Sequence, residues 1–130
     1  MSVRERRLES PRARAEAKQV AAAVSWAERE IELTDDELAG ALGGVSTRTV
    51  ARWREEQQHP QPSAVIAAEA LLSLAKALDA VFGGDKDRMQ AWLHEPLHAF
   101  RGRTPLRMIV QGDAAKVVTL VANIDAGVFD

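Results

Sequence analysis

Residues 34–54, TDDELAGALGGVSTRTVARWR, predict two short helices that are joined by a tight turn. Thr34 and Glu37 have the spacing of a capping box, in which each side chain bonds the backbone N–H of the other residue at the start of a helix. Gly43-Gly44 ends this first helix, because glycine adopts left-handed backbone angles readily. Ser46 then caps a second helix. This layout is the minimum of a helix-turn-helix.

The second helix of the pair, which is predicted to run to about residue 57, carries the candidate DNA contacts. Val50 and Trp53 have the spacing of inward residues, which leaves hydroxyl and arginine side chains on the outer face. Arginine pairs with guanine edges and phosphates, and hydroxyl groups near a helix start reach phosphates. The alternative is a purely structural helix pair with an ordinary charged face. The predicted DNA-binding residues are Thr47, Arg48, Thr49 and Arg52, with Arg54 at the edge of the same face.

Apolar periodicity predicts further helices on both sides of this pair, so the predicted fold class is all-α. Residues 15–32 have one apolar face, residues 63–82 form the longest helix, and three shorter helices follow. We expect four segments along the chain: a mobile basic arm at 1–14, a helix-turn-helix domain at 15–62, a connecting and dimerisation helix at 63–84, and a small helical domain with a C-terminal tail at 85–130.

The helix predicted over residues 63–82 is apolar around most of its circumference. Its polar side chains, such as Glu69 and Lys76, keep to one narrow stripe. A helix of this kind must be covered on more than one side. In so short a chain this pattern favours a partner surface beside an internal core. We therefore expect a homodimer formed through this helix, and Leu72→Glu or Leu78→Glu should give monomers or unfolded chains.

Length and composition predict a compact protein without thiol chemistry. The chain has 130 residues, of which 46% are hydrophobic and 28% charged, and its net charge of −2 means that any nucleic-acid contact must come from a local patch. The absence of cysteine excludes disulfides and a cysteine nucleophile. No phosphate-binding loop, dinucleotide fingerprint or serine elbow occurs, so neither enzyme activity nor a cofactor is predicted. No signal peptide or membrane span is visible, and the predicted location is the cytoplasm.

Residues 94–98, HEPLH, match the zinc-peptidase pattern H-E-x-x-H, but they do not predict a zinc site. That chemistry needs both histidines on one helical face. Pro96 lies between His94 and His98, removes a backbone donor and pushes Glu95 out of helical angles. The segment is more typical of a helix end, where a histidine offsets the helix dipole.

Both ends of the chain and one internal loop allow two interpretations each. The basic N-terminal arm is either a solvated tail or a contact for phosphate. Arg101, Arg103 and Arg107 are either solvated, or they tie their loop to helix carbonyls or to acidic groups of a partner. At the C-terminus, Phe129 either folds back into a groove or inserts into another protein, as aromatic anchors at interfaces do.

Motifs in both halves of the chain carry a resemblance to a known family. The N-terminal motif is LGGVSTRTVARW at 42–53, and the C-terminal motifs, in order, are VFGGD at 81–85, AWL at 91–93, GRTPL at 102–106 and GVF at 127–129. Over about residues 30–130, the sequence resembles the Xre/MbcA/ParS-type antitoxins of bacterial type II toxin–antitoxin systems. The ordered C-terminal set is the more specific part, because helix-turn-helix segments are common to many regulators.

The resemblance implies an N-terminal Xre-like helix-turn-helix bundle, joined by the long helix to a small helical toxin-binding domain. It also implies a cognate toxin of the RES-domain group, which resembles NAD-consuming ADP-ribosylating enzymes, and an antitoxin that blocks the active-site entrance of that toxin. By position, the toxin-contacting candidates are Arg103, Thr104, Gly127, Val128 and Phe129. Asp130 joins them, because an aromatic ring followed by two carboxylates would complement an electropositive NAD pocket.

Some antitoxins of this type bind their own operator, so the resemblance also implies operator DNA as a partner and a role as a transcription repressor. The alternative function is a stand-alone dimeric helix-turn-helix regulator, whose C-terminal half only dimerises. A neighbouring gene for a RES-domain protein, and co-purification with that protein, would distinguish the two.

Overall fold

The computed structural model describes residues 10–125, and the fold in this range is all-α, as predicted. No strand occurs between these two residues. None of the helices in this range has both the length and the apolar character needed to cross a membrane. The elements are α1 (Pro11–Glu30), α2 (Asp35–Ala41), α3 (Thr47–Arg54), α4 (Pro62–Phe82), α5 (Lys86–Leu93), a 3₁₀ turn (His98–Phe100), α6 (Pro105–Val110) and α7 (Ala114–Asp125).

Helix α1 begins earlier than the sequence predicted. The Ser10 side chain accepts a hydrogen bond of 3.0 Å from the N–H of Ala13, and Pro11 opens the helix, where its missing N–H is harmless. Ala13 and Ala17 are buried against the rest of the protein. The expectation that the mobile arm extends to residue 14 is therefore wrong for residues 10–14, while residues 1–9 of that arm lie outside the described range.

The predicted capping box at the start of α2 is confirmed. The Thr34 hydroxyl accepts the N–H of Glu37 at 3.2 Å, and the Glu37 carboxylate accepts the N–H of Thr34 at 2.9 Å. After α2, Gly43 has a φ of 107°, the left-handed conformation that glycine adopts at low cost. Ser46 then caps α3 through a hydrogen bond of 3.1 Å from the N–H of Thr49.

Helix α3 is shorter than predicted, since it ends at Arg54 instead of about residue 57. Glu56 adopts a left-handed φ of 57°, which takes the chain away from the helix axis. His59 and Pro60 then lead to α4 with Pro62 as its first residue. The loop between the two helices therefore begins three residues earlier than the apolar pattern suggested.

Helix α4 is the centre of the core and uses most of its apolar surface within the chain. It packs against α1 on one side and α7 on the other. Leu71, Leu74 and Leu78 have 1% exposure or less. Leu78 is therefore a core residue, and of the two outcomes expected for Leu78→Glu, monomers or unfolded chains, its burial favours unfolding. Leu72 is half-buried.

The N-terminal and C-terminal halves share one continuous core. Buried side chains of α2 and α3 belong to the same cluster as those of α6 and α7. The two halves are also joined by hydrogen bonds from α5 to the end of α1: Lys86 Nζ donates to the carbonyl of Arg29 at 3.0 Å, and Gln90 Nε2 donates to that of Glu30 at 2.9 Å. Neither half is therefore free to move as an independent body without breaking these contacts.

Candidate functional site

The outer face of α3 presents the predicted DNA-binding residues to solvent to different degrees. Val50 and Trp53 point inward and are almost completely buried. The predicted set lies on the other side of the helix: Thr47 and Arg48 are exposed, while Thr49 and Arg52 are half-buried. The Thr49 hydroxyl lies 3.0 Å from the Ser46 hydroxyl, so it is already part of the helix cap.

Arg54 is separated from these residues by its own contacts. Its Nε and Nη2 atoms donate to both carboxylate oxygens of Glu28 at 3.1 and 2.9 Å, and Nη2 also donates to Asp35 at 2.9 Å. The side-chain hydrogen bond to Glu28, assisted by that to Asp35, raises the pKa of Arg54 above its usual value although burial acts against this. Arg54 therefore connects three helices and is not a candidate for DNA contact.

The two histidines of the HEPLH segment lie on different elements. Helix α5 ends at Leu93, and His94 caps it with its Nδ1 atom 2.9 Å from the carbonyl oxygen of Gln90. His98 starts the 3₁₀ turn that follows Pro96. Nowhere in residues 10–125 do three or more His, Cys, Asp or Glu side chains form a group that could hold a metal ion.

Arg103 and Thr104, two of the predicted toxin contacts, form the junction between the 3₁₀ turn and α6. Arg103 Nε donates to the carbonyl of Phe100 at 3.2 Å, and its Nη1 atom donates to the side chain of Gln111 at 3.1 Å. The Thr104 hydroxyl caps α6 by accepting the N–H of Arg107 at 3.0 Å. Arg103 thus ties its loop to a helix, one of the two options that the sequence left open, whereas Arg101 and Arg107 are exposed.

The remaining predicted toxin contacts lie outside the described part of the chain. These are Gly127, Val128, Phe129 and Asp130, which follow the last described residue of α7. Their proposed role is therefore carried by the sequence alone.

A half-buried aromatic cluster at the end of α4 was not among the predicted site residues. The rings of Phe82 and Trp92 lie with centroids 6.0 Å apart, and the Arg88 guanidinium lies 5.9 Å above the Phe82 ring. Trp92 lies on the same helix as the buried residues Met89 and Leu93. Tryptophan and arginine are enriched at the energetic centres of protein interfaces.

Comparisons with known proteins place this geometry in a family. Residues 77–127 match the model of the antitoxin Xre/MbcA/ParS C-terminal toxin-binding domain. Over 111 residues, which are 85% of this chain and 95% of the relative, the sequence is 30% identical to the mycobacterial cidal antitoxin MbcA of Mycobacterium tuberculosis and of Mycobacterium bovis. The fold resembles a chain in the crystal structure of the M. tuberculosis MbcT–MbcA toxin–antitoxin complex, with a TM-score of 0.57, 28% identity, and coverage of 85% of this chain and 97% of that one.

An all-helical chain with these matches is an antitoxin of a toxin–antitoxin system. More narrowly, the chain belongs to the Xre/MbcA/ParS antitoxin family. The resemblance inferred from the ordered C-terminal motifs is thereby confirmed.

Proposed function

We propose that this chain binds and neutralises a cognate toxin of the RES-domain type by blocking the entrance to an NAD-consuming active site. The observation that carries the proposal is the match of residues 77–127 to a toxin-binding domain. The crystal structure of a relative with its toxin, MbcT, supports the same kind of partner. The cluster of Phe82, Trp92 and Arg88 lies at an edge of this domain, and its composition suits a protein interface.

In the proposed complex, the C-terminal segment of the antitoxin occupies the toxin's cavity. A pocket that binds NAD must attract a pyrophosphate, so it must be electropositive. Phe129 supplies an aromatic ring, and Asp130 supplies a negative charge. We propose that this segment excludes NAD, with Gly127 and Val128 leading into the cavity. Arg103 and Thr104 would contact the toxin nearby.

Truncation after Gly127 tests this mechanism. The full chain and the truncated chain are co-expressed with a RES-domain toxin, and growth and cellular NAD are measured. We expect the full chain to preserve NAD and the truncated chain to lose this protection. If the full chain gives no protection, the neutralising function is wrong. If the truncated chain protects as well as the full chain, the helices and not the tail block the toxin.

We further propose that the chain represses its own operon through the outer face of α3, as a type II antitoxin. Thr47 and Arg48 are exposed there, and Arg52 is partly exposed. Arginine at such positions can contact guanine edges or phosphates. A stand-alone regulator would bind its operator equally well but would purify without a toxin. Co-purification with the protein of the adjacent gene therefore separates the two functions.

The last part of the proposal is a homodimer formed through the outer face of α4. Ile66, with 66% exposure, is the one large hydrophobic side chain that is exposed within residues 10–125. It lies on the helix that the sequence predicted for dimerisation. Two copies of the chain would also give paired DNA-reading helices, which is how helix-turn-helix proteins read a palindromic operator.

A further inference from the structure

A cavity between the 3₁₀ turn, α6 and α7 combines an apolar floor with a cationic rim. Its volume is about 410 Å³. Phe100 and Met108 are buried and form the apolar floor, while Arg101 and Lys116 are exposed and belong to the rim. The residues around it are Ala99, Phe100, Arg101, Arg103, Met108 and Lys116.

No carboxylate of residues 10–125 forms an ion pair with this rim. Within residues 10–125, ion pairs are formed by Glu16, Glu28 and Asp35, all in the N-terminal half, and none of them involves a cation of the cavity. A second cavity, of about 390 Å³ at the junction of α1, α4 and α5, has acidic and basic side chains together. Positive side chains are therefore concentrated around the 410 Å³ cavity, although the net charge of the chain is −2.

Arg103 is held in place before any ligand arrives. Its Nε and Nη1 atoms are bonded to Phe100 and Gln111, which fixes the plane of the guanidinium while its Nη2 atom makes no hydrogen bond to a described residue. A guanidinium with a fixed plane loses less conformational entropy when it binds a carboxylate than a freely rotating one does. Arg101 and Lys116 bring two further positive charges to the same cavity.

We propose that this cavity is an anion-binding site that takes acidic side chains of the toxin. The inference rests on the proposed toxin partnership, and it adds Arg101 and Lys116 to the predicted contact Arg103. All three residues lie within the segment 77–127 that matches a toxin-binding domain. The floor of Phe100 and Met108 suits an acidic side chain flanked by an apolar neighbour. Charge-assisted hydrogen bonds formed there would set both the affinity and the orientation of the complex.

Arg101→Gly and Lys116→Gln test the site in the intact complex. Arg101 has a left-handed φ of 57°, so glycine removes the charge without straining the backbone. We expect each variant to weaken binding of the RES-domain toxin about 10-fold in low salt, and to reduce the salt dependence of binding. Two control variants should bind like the wild type: Lys76→Gln removes an exposed charge on α4, and Glu32→Gly relaxes a φ of 56° outside the cavity. Toxin affinity that is unchanged in both test variants would overturn the role in the complex.

A toxin-free measurement separates this inference from the proposed function. Citrate, a small tricarboxylate, is titrated into the isolated chain at millimolar concentration while the NMR signals of arginine and lysine side chains are recorded. We expect shifts concentrated at Arg101, Arg103 and Lys116, and their loss in Arg101→Gly. Equal shifts at all exposed cations would overturn the site itself. Citrate binding at the cavity by a chain that binds no toxin would instead leave the site standing and refute the neutralising function.

Discussion

Arg54 joins α1, α2 and α3 through a single guanidinium. Glu28 accepts two of its hydrogen bonds and Asp35 accepts a third, so the charge is shared by carboxylates from two helices. The pKa of Arg54 is raised by these bonds, and at neutral pH, well below the ordinary value of the group, the raised pKa of this cation stabilises the fold. On the alkaline side, that stabilisation is lost as the pH rises through the raised value.

Replacing Arg54 with methionine tests this contact. Because the three side chains are partly exposed, we expect the free energy of unfolding to fall by about 1–2 kcal/mol. Arg54→Lys should recover only part of the loss, since an ammonium group cannot bind both oxygens of Glu28 as a guanidinium does. Urea denaturation followed by circular dichroism measures the difference. Arg48→Met, which removes an exposed arginine of the same helix, is the control and should leave stability unchanged.

Gly40 allows α2 and α6 to approach each other closely. A Cβ atom at this position would overlap with the backbone carbonyl oxygen of Val110, which cannot move aside as a side chain could. Alanine favours a helix over glycine by about 1 kcal/mol. We nevertheless expect Gly40→Ala to lower the free energy of unfolding by about 1–3 kcal/mol, because overpacking outweighs this gain.

A second glycine separates steric overlap from backbone strain. Gly84 has a φ of 85° and open space around a Cβ atom, so Gly84→Ala changes the backbone alone. Thermal and urea denaturation of the two variants should show the larger loss for Gly40→Ala. A smaller loss for Gly40→Ala would mean that α2 and α6 are not in tight contact.

Helix α3 is the element to which we assign the proposed DNA recognition. Arg48 is exposed and Arg52 is half-buried, so both can reach a duplex without unfolding the helix. We expect Arg48→Ala and Arg52→Ala each to weaken operator binding by about 1–3 kcal/mol. Affinity is measured by fluorescence anisotropy at several salt concentrations, and its salt dependence should be shallow because each chain contacts few phosphates. Unchanged operator affinity in both variants would mean that α2 and α3 are a purely structural pair.

Local signals in the sequence predicted helices better than they predicted where the helices end. The caps formed by Thr34 and Ser46 were visible because each is followed at a fixed spacing by the group that it bonds. The start of α1 at Pro11 was missed, because the arginines around it masked a cap that depends on Ser10 alone. The end of α3 was missed because Glu56 adopts a positive φ, and a glutamate side chain gives no sign of that backbone conformation.

Long-range contacts were beyond the reach of the sequence pattern. Arg54 looked like a surface arginine of α3, and only the approach of α1 and α2 shows that its charge is neutralised by Glu28 and Asp35. Lys116 lies 13 residues from Arg103 along the chain, yet both border one cavity. Such groupings arise from the packing of separate helices, for which local periodicity carries no information.

In the proposed homodimer, the outer face of α4 forms the contact between the two chains. Leu78 is buried, so Leu78→Glu would destroy the core and could not report on association. Ile66→Glu is the sharper test, because a side chain with 66% exposure can carry a charge without disturbing the fold. We expect Ile66→Glu to convert dimers to monomers in sedimentation equilibrium while the helical circular dichroism and the melting temperature stay unchanged.

Leu72→Glu, at a half-buried position of the same helix, should also give monomers but with some loss of stability. A dimer that persists in Ile66→Glu and Leu72→Glu would mean that the dimer contact does not lie on α4. In that case α4 would not set the distance between the two α3 helices on an operator.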